Sequence, residues 1–160
     1  MKLIGIDQST KSTGVSVWLN GELIDYKTIA SEKNEKNPIE RMKYMYDEIK
    51  ALLGIEKPDY VLIENVQFQN NFRVYSQLSQ LQGVLFSLFF EREVNFNLIE
   101  PTAWRKVMGV TGRKRAEQKA SVIQRVKEMF GIDVDEDAAE AIGLGYYGVN
   151  NIKLLESQEA

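Results

Sequence analysis

Tyr60-Val61-Leu62-Ile63 is an unbroken apolar run that ends on Glu64. A strand with one wet face alternates apolar and polar residues, whereas a strand apolar at every position is a buried central one, covered on both faces. The chain must therefore bury this strand inside a layered fold. Glu64 must emerge at its end, because a carboxylate is costly to bury without a partner. Leu3 to Asp7 repeats the pattern near the N-terminus, an apolar stretch closing on an acid.

Other signals surround these two strands. Gly14 to Leu19 and Leu23 to Ile29 are β-like runs joined by Asn20-Gly21, the strongest short-range hairpin signal. After a polar loop, Pro38 stands at a helix start, and Ile39, Met42, Met45, Tyr46, Ile49, Leu52 and Leu53 recur at helical spacing until Gly54. A polar loop from Asn65 to Asn71 leads into a long helix over about Phe72–Arg92. Phe96 to Ile99 gives a fifth strand, stopped by Glu100-Pro101. A short helix through Trp104, a loop from Gly109 to Arg115, a helix from Ala116 to Phe130 and a last helix from Glu136 to about Val149 complete the order. This is an α/β fold with one mixed sheet. At 160 residues and 44% hydrophobic content the chain fits one domain, over 1–152, with 153–160 as a frayed tail.

Composition narrows the chemistry. The chain has no Cys and no His, which excludes disulfides, thiolate or imidazole zinc sites, cysteine nucleophiles and histidine bases. A metal must be held by oxygen, and such a site favours Mg²⁺ or Mn²⁺. Asp7 and Glu64 end two strands and meet if those strands are neighbours. Asp137 and Glu140 lie i, i+3 on the last helix and face the same way, with Ala138, Ala139 and Ala141 permitting close approach to the sheet. Four converging carboxylates repel unless cations neutralise them. With two ions roughly 4 Å apart such a cluster can cleave a phosphodiester with no His and no covalent intermediate. Taken singly, each feature has a plainer explanation: a strand-end acid is usually a cap or surface charge, and an acid pair at a helix start is commonly a dipole interaction. Their joint occurrence favours the metal site.

Gly5-Ile6-Asp7-Gln8-Ser9-Thr10-Lys11-Ser12-Thr13-Gly14 resembles the opening motif of the RuvC Holliday-junction resolvases, Gly-Ile-Asp-Pro-Gly-x-x-x-Thr-Gly. Pro58 to Val66 is similar to their second motif, Gln82-Gly83-Val84 falls in the helix they use at the dimer interface, and Asp137-Ala138-Ala139-Glu140-Ala141-Ile142 resembles their Asp-Ala-Ala-Asp-Ala-Leu. The resemblance covers nearly the whole chain and implies a ribonuclease H-like fold with a five-stranded mixed sheet flanked by helices. It also implies a homodimer that cuts branched DNA with paired nicks, using Mg²⁺ or Mn²⁺ at Asp7, Glu64, Asp137 and Glu140, in the cytoplasm of a bacterial or phage-infected cell. The family's supporting cations fall at Arg105 and Lys119, with Lys106 and Lys114 as alternatives. Three residues after Glu64 the family places an aromatic; here Gln67 stands there and Phe68 follows.

The 20 Lys and Arg against 23 Asp and Glu give a formal net charge of -3, so bulk charge alone does not point to nucleic acid. Between Trp104 and Lys127, however, Arg105, Lys106, Arg113, Lys114, Arg115, Lys119, Arg125 and Lys127 face a single acid, Glu117. A solvated helix face accounts for Arg125 and Lys127, but less well for three adjacent cations at Arg113-Lys114-Arg115, which suit a phosphate backbone. Gln67 and Phe68 are candidates to touch unstacked bases. The surplus apolar surface of the 72–92 helix is a candidate dimer interface, with burial under the chain's own elements as the alternative. Competing readings are a ribonuclease H-like nuclease on flaps, three-way forks or RNA, a non-catalytic DNA-binding module, and an actin- or sugar-kinase-like ATP-binding unit, whose further Gly-rich loops the chain lacks.

Overall fold

The computed structural model describes residues 1–159, with side chains as far as Lys153. Strands β1 (Lys2–Asp7), β2 (Ser12–Leu19) and β3 (Glu22–Ala30) come first, followed by α1 (Pro38–Glu56) and β4 (Tyr60–Glu64). Then come α2 (Phe72–Glu91), β5 (Asn95–Ile99), α3 (Pro101–Met108), α4 (Arg115–Phe130) and α5 (Glu136–Glu159). The sheet order is β3-β2-β1-β4-β5. β1–β2 and β2–β3 pair antiparallel, β1–β4 and β4–β5 parallel. This is the five-stranded mixed sheet flanked by helices that the sequence implies.

Local chemistry explains the element boundaries. Asn20 and Gly21 both take positive φ, 50° and 89°, as a two-residue hairpin turn of the favoured primed type requires. Asn37 accepts a hydrogen bond from the Ile39 amide ahead of Pro38, and Asn71 accepts one from Val74, so both long helices start on a side-chain cap. The last helix runs on past the expected end at Val149. Asn150 and Asn151, poor helix formers because their amides compete for the backbone, here donate back to the carbonyls of Tyr146 and Tyr147 and let the helix pass. The tail expected over 153–160 lies almost wholly outside the residues whose side chains are described.

Strand alternation divides the core. Ile4, Ile6, Val61 and Ile63 point to the face covered by α1 and α2, where they pack with Met45, Ile49, Leu85 and Phe89. Leu3, Tyr60 and Leu62 point to the opposite face, against Trp104, Val122, Ala139 and Ile142 of α3, α4 and α5. Each fully buried side chain of this size contributes about 1.5–3 kcal/mol, so both helical layers are needed to hold the central strands. Leu85, Leu88 and Phe89 of α2 are spent in this core, whereas Phe72, Val84 and Phe90 remain exposed.

Helix α5 lies unusually close to the sheet. A Cβ on Gly14 would come within 1.9 Å of the Asp137 carbonyl oxygen, and one on Gly5 within 2.7 Å of that of Ala141. Only glycine admits a helix backbone at this distance. The contact sets the depth at which the first turns of α5 meet the ends of β1 and β2.

Candidate active site

β1 and β4 are neighbours in parallel register, with Ile6 beside Ile63. Asp7 and Glu64 follow those residues and therefore leave the sheet side by side. By alternation both belong to the face that α5 covers. Glu140, one turn into α5 and only 4% exposed, completes the group: carboxylate oxygens of Asp7, Glu64 and Glu140 lie within 4.8 Å of one another. Asp137, one turn earlier, is not drawn into this cluster. Its Oδ2 accepts a hydrogen bond from Ser12 Oγ at 2.5 Å, over the turn between β1 and β2.

The electrostatics are those of a site short of positive charge. Burial pushes the Asp7 carboxyl well above the ordinary range, and the charges of Glu140 and Glu64 push it further. Burial also raises Glu64, opposed by the Trp104 indole, which donates to Glu64 Oε2 at 2.7 Å, and by Arg105 and Arg115. Asp137 is raised by burial, against the Ser12 hydrogen bond, with Asp135, Glu136 and Glu140 adding repulsion. The clustered Asp7, Glu64 and Glu140, all offering hard oxygen donors, fit a divalent cation well.

Cations stand at the same spot. Arg115 Nη2 donates to Glu140 Oε1. Arg105 lies over the Trp104 ring, 5.4 Å from its centroid. Burial, and then the like charge of Arg115, lower the Arg105 pKa, while the acids oppose the shift. Arg105 Nε and Arg115 Nη1 are both buried with no hydrogen-bond acceptor among the described residues. A buried donor of this kind carries a full desolvation cost until an acceptor arrives.

The acids sit at the junction of two lobes of a cleft. One, of about 280 Å³, runs between Gln67, Asn71, Tyr75 and Arg105; the other, of about 740 Å³, passes Ser9, Arg41, Lys119, Asp137 and Glu140. Of the residues singled out from sequence, Asp7, Glu64, Asp137, Glu140, Gln67, Arg105, Arg115 and Lys119 line this cleft. Lys119 also pairs with Glu136. Gln67 donates to Glu100 Oε2 at 2.9 Å, while the exposed Phe68 rests edge-on against Tyr75 and lines neither lobe. Lys106, Arg113 and Lys114 are exposed and line neither lobe. The backbone amides of Arg113 and Lys114 donate to Glu117 at the start of α4, which also holds the Glu117 carboxyl below its ordinary range.

Residues given no site role from sequence complete the surroundings. Gln82 donates to the Glu64 carbonyl and Gln8 to that of Leu78, tying α2 to the ends of β4 and β1. Arg41 of α1 is buried beside the larger lobe, with Lys11, Lys33, Lys36 and Arg73 around it. Arg41 occupies an amphipathic helix where burial of a cation leaves no trace in apolar periodicity, and the lysines sit in loops that only folding brings together.

Residues 3–146 match the family model for crossover junction endodeoxyribonuclease RuvC. The chain belongs to the RuvC family. Among curated relatives, crossover junction endodeoxyribonuclease RuvC of Dictyoglomus turgidum is 24% identical over 148 residues, covering 90% of this chain and 93% of that protein. The RuvC of Fusobacterium nucleatum is 27% identical over 159 residues, covering 95% and 82%. Among solved structures, Thermus thermophilus RuvC in complex with Holliday junction substrate superposes with a TM-score of 0.79 at 16% identity, covering 96% of each chain. Fowlpox virus resolvase with Holliday junction DNA gives 0.61 at 16%, covering 100% of each. At these identities the structures establish the shared ribonuclease H-like fold. The RuvC motifs noted in sequence at Asp7, Glu64 and Asp137–Glu140 all fall within the matched residues.

Proposed function

We propose that the cleft at Asp7, Glu64 and Glu140 is the centre at which this RuvC-family endodeoxyribonuclease hydrolyses the phosphodiesters of Holliday junctions or closely related branched DNA. The observation that carries the assignment is the convergence of three carboxylates from β1, β4 and α5 within 4.8 Å, directly beside two buried arginine donors without acceptors. The acids fit a hard divalent cation, Mg²⁺ or Mn²⁺; when bound, it supplies Lewis-acid stabilisation of the charge that builds on the phosphate.

The protein's own contributions follow from its hydrogen bonds. Trp104 fixes one oxygen of Glu64 and leaves the other for the cation. Arg115 holds Glu140, and its free Nη1 together with Arg105 Nε is available to the non-bridging oxygens of the scissile phosphate. Ser12 holds Asp137 at the rim of the larger lobe, from which it is the fourth acid to join the cation site. Gln67, which lines the smaller lobe, and the exposed Phe68 beside it are the candidates to meet bases, and Lys119, Lys106, Arg113 and Lys114 the candidates to meet more distant phosphates.

A homodimer through α2 suits two cuts of matched orientation, and the exposed Phe72, Val84 and Phe90 on that helix support it. No helix among the described residues is long and apolar enough to cross a membrane. The bacterial relatives favour a cytoplasmic setting.

A cleavage panel tests the proposal. With Mg²⁺ or Mn²⁺, four-way DNA junctions are expected to receive paired nicks in preference to three-way, flap, linear and RNA-containing substrates. Glu64→Gln is expected to bind the junction without cutting it. Wild-type protein that leaves every branched DNA intact in both metals would overturn the reading.

A further inference from the structure

Of the cations foreseen in sequence, Arg105 lines the smaller lobe, Lys119 the larger and Arg115 both. The larger lobe carries a further group of cations, and one of them, Arg41, is a residue whose burial the described ion pairs leave unexplained. Arg41 is 7% exposed, yet its guanidinium meets only neutral oxygens: Thr10 Oγ1 at 3.4 Å, the Glu35 carbonyl at 3.2 Å and Gln77 Oε1 at 3.4 Å. Among the described residues no carboxylate lies within ion-pair distance of it. Arginine stays charged when buried, and a buried charge without a counter-ion is held at a large desolvation cost. Three long hydrogen bonds to neutral acceptors offset little of that.

Arg41 lines the larger lobe, and the same wall carries Lys33 and Lys36 from the loop before α1 and Arg73 from the start of α2. None of these three is paired with an acid among the described residues, and all are exposed. Glu35 on the same lobe has its Oε1 engaged by the Asn37 amide at 2.8 Å, and Glu32, Glu40 and Asp47, which share an adjoining pocket with Arg41, form no ion pair with it among the described residues. Four cations on one lobe, one of them buried and none paired with an acid among the described residues, describe an anion seat, and its position on the cleft that holds the acids makes the anion a phosphate of the strand lying there.

We infer that Arg41, with Lys33, Lys36 and Arg73 on the same lobe, binds a backbone phosphodiester of the cleaved DNA strand in the larger lobe, whereas Arg105 lines the smaller one. The inference rests on the nuclease reading and adds a second grip to it. A strand gripped in both lobes of the cleft is fixed in direction past the acids, whereas one gripped in a single lobe can pivot.

The test uses the full-length protein and four-way junction DNA in Ca²⁺, with affinity followed by fluorescence anisotropy across a salt series. Lys33→Gln combined with Lys36→Gln changes only exposed side chains. It is expected to leave the melting temperature unchanged and to reduce the slope of log affinity against log salt by about 1–2, one counter-ion for each phosphate that no longer meets a lysine. Arg41→Gln is expected to weaken binding about tenfold or more, the effect of removing a charge-assisted hydrogen bond. Junctions carrying a single neutral methylphosphonate at successive positions beside the cut supply the reading that a purely structural Arg41 would not move. One position should weaken wild-type binding by the same factor and leave Arg41→Gln indifferent. If wild type binds the junction while Arg41→Gln and the double lysine variant bind as tightly with the same salt slope, the seat is wrong and the nuclease reading stands. The seat is equally overturned if Arg41→Gln lowers the melting temperature alone. Wild-type protein that binds no branched DNA overturns both.

Discussion

Replacing Asp7 by Asn isolates the repulsion that the fold builds into the carboxylate cluster. Asn keeps the shape of Asp and removes its charge. Two unit charges 4.8 Å apart, the spread of the Asp7, Glu64 and Glu140 oxygens, repel by about 3.5 kcal/mol at an effective dielectric near 20. Glu140 and then Glu64 supply that repulsion, with Arg115 offsetting part of the Glu140 charge. Proton uptake limits what survives at neutral pH, since each unit by which a carboxyl is raised corresponds to about 1.4 kcal/mol. Asp7→Asn is therefore expected to stabilise the metal-free protein by about 1–3 kcal/mol, or roughly 2–12 °C in melting temperature for a chain of this size. Thermal melts followed by circular dichroism, with and without Mg²⁺ or Mn²⁺, check it. Wild type should melt higher in metal, through preferential binding to the folded state, and the variant should lose most of that response. A variant that melts below wild type in chelator, yet gains as much from metal, would refute the claim that these acids are both mutually repulsive and the cation site.

The pH dependence has a definite sign. Asp7, Glu64 and Asp137 are all raised, so each binds its proton more tightly folded than unfolded. The stability this gives is present at low pH and is lost as pH rises through the folded pKa. The melting advantage of Asp7→Asn over wild type in chelator should accordingly widen from mildly acidic to neutral pH, and a constant difference would contradict it. Gly14→Ala would place a Cβ 1.9 Å from the Asp137 carbonyl and must push α5 off the sheet; a loss of about 2 kcal/mol or more and a weakened metal response in the same melts are expected. Ser12→Ala removes the hydrogen bond to Asp137 and is expected to cost about 1 kcal/mol while leaving the metal-induced stabilisation in place.

Much of the fold is legible in the sequence because it depends on period and punctuation. Tyr60 to Glu64 reads as a central strand from its unbroken apolarity, and Asn20-Gly21 fixes the β2–β3 hairpin through a backbone conformation few other dipeptides accept. Strand-end position likewise draws Asp7 and Glu64 together. The different situations of Asp137 and Glu140 are not legible. Both sit on the same helical face, and what separates them is the depth of α5, set by Gly5 and Gly14 on other strands. The run Arg113-Lys114-Arg115 offers three equivalent cations in sequence, of which the fold brings only Arg115 to the acids because α4 begins there. Arg41 and Lys33 stay hidden for a related reason: a phosphate seat assembled from a helix, a loop and a second helix has no spacing to detect.

The indole of Trp104 lies in the core with its Nε1 on Glu64, and the chain's other tryptophan, Trp18, is buried with its own Nε1 on Ser16. A fluorophore hydrogen-bonded to an acid senses every change in that acid's charge. In a Trp18→Phe background the emission of Trp104 becomes an optical gauge inside the cleft, able to register proton and cation arriving at Glu64 in real time, on unlabelled protein and without any DNA being cut.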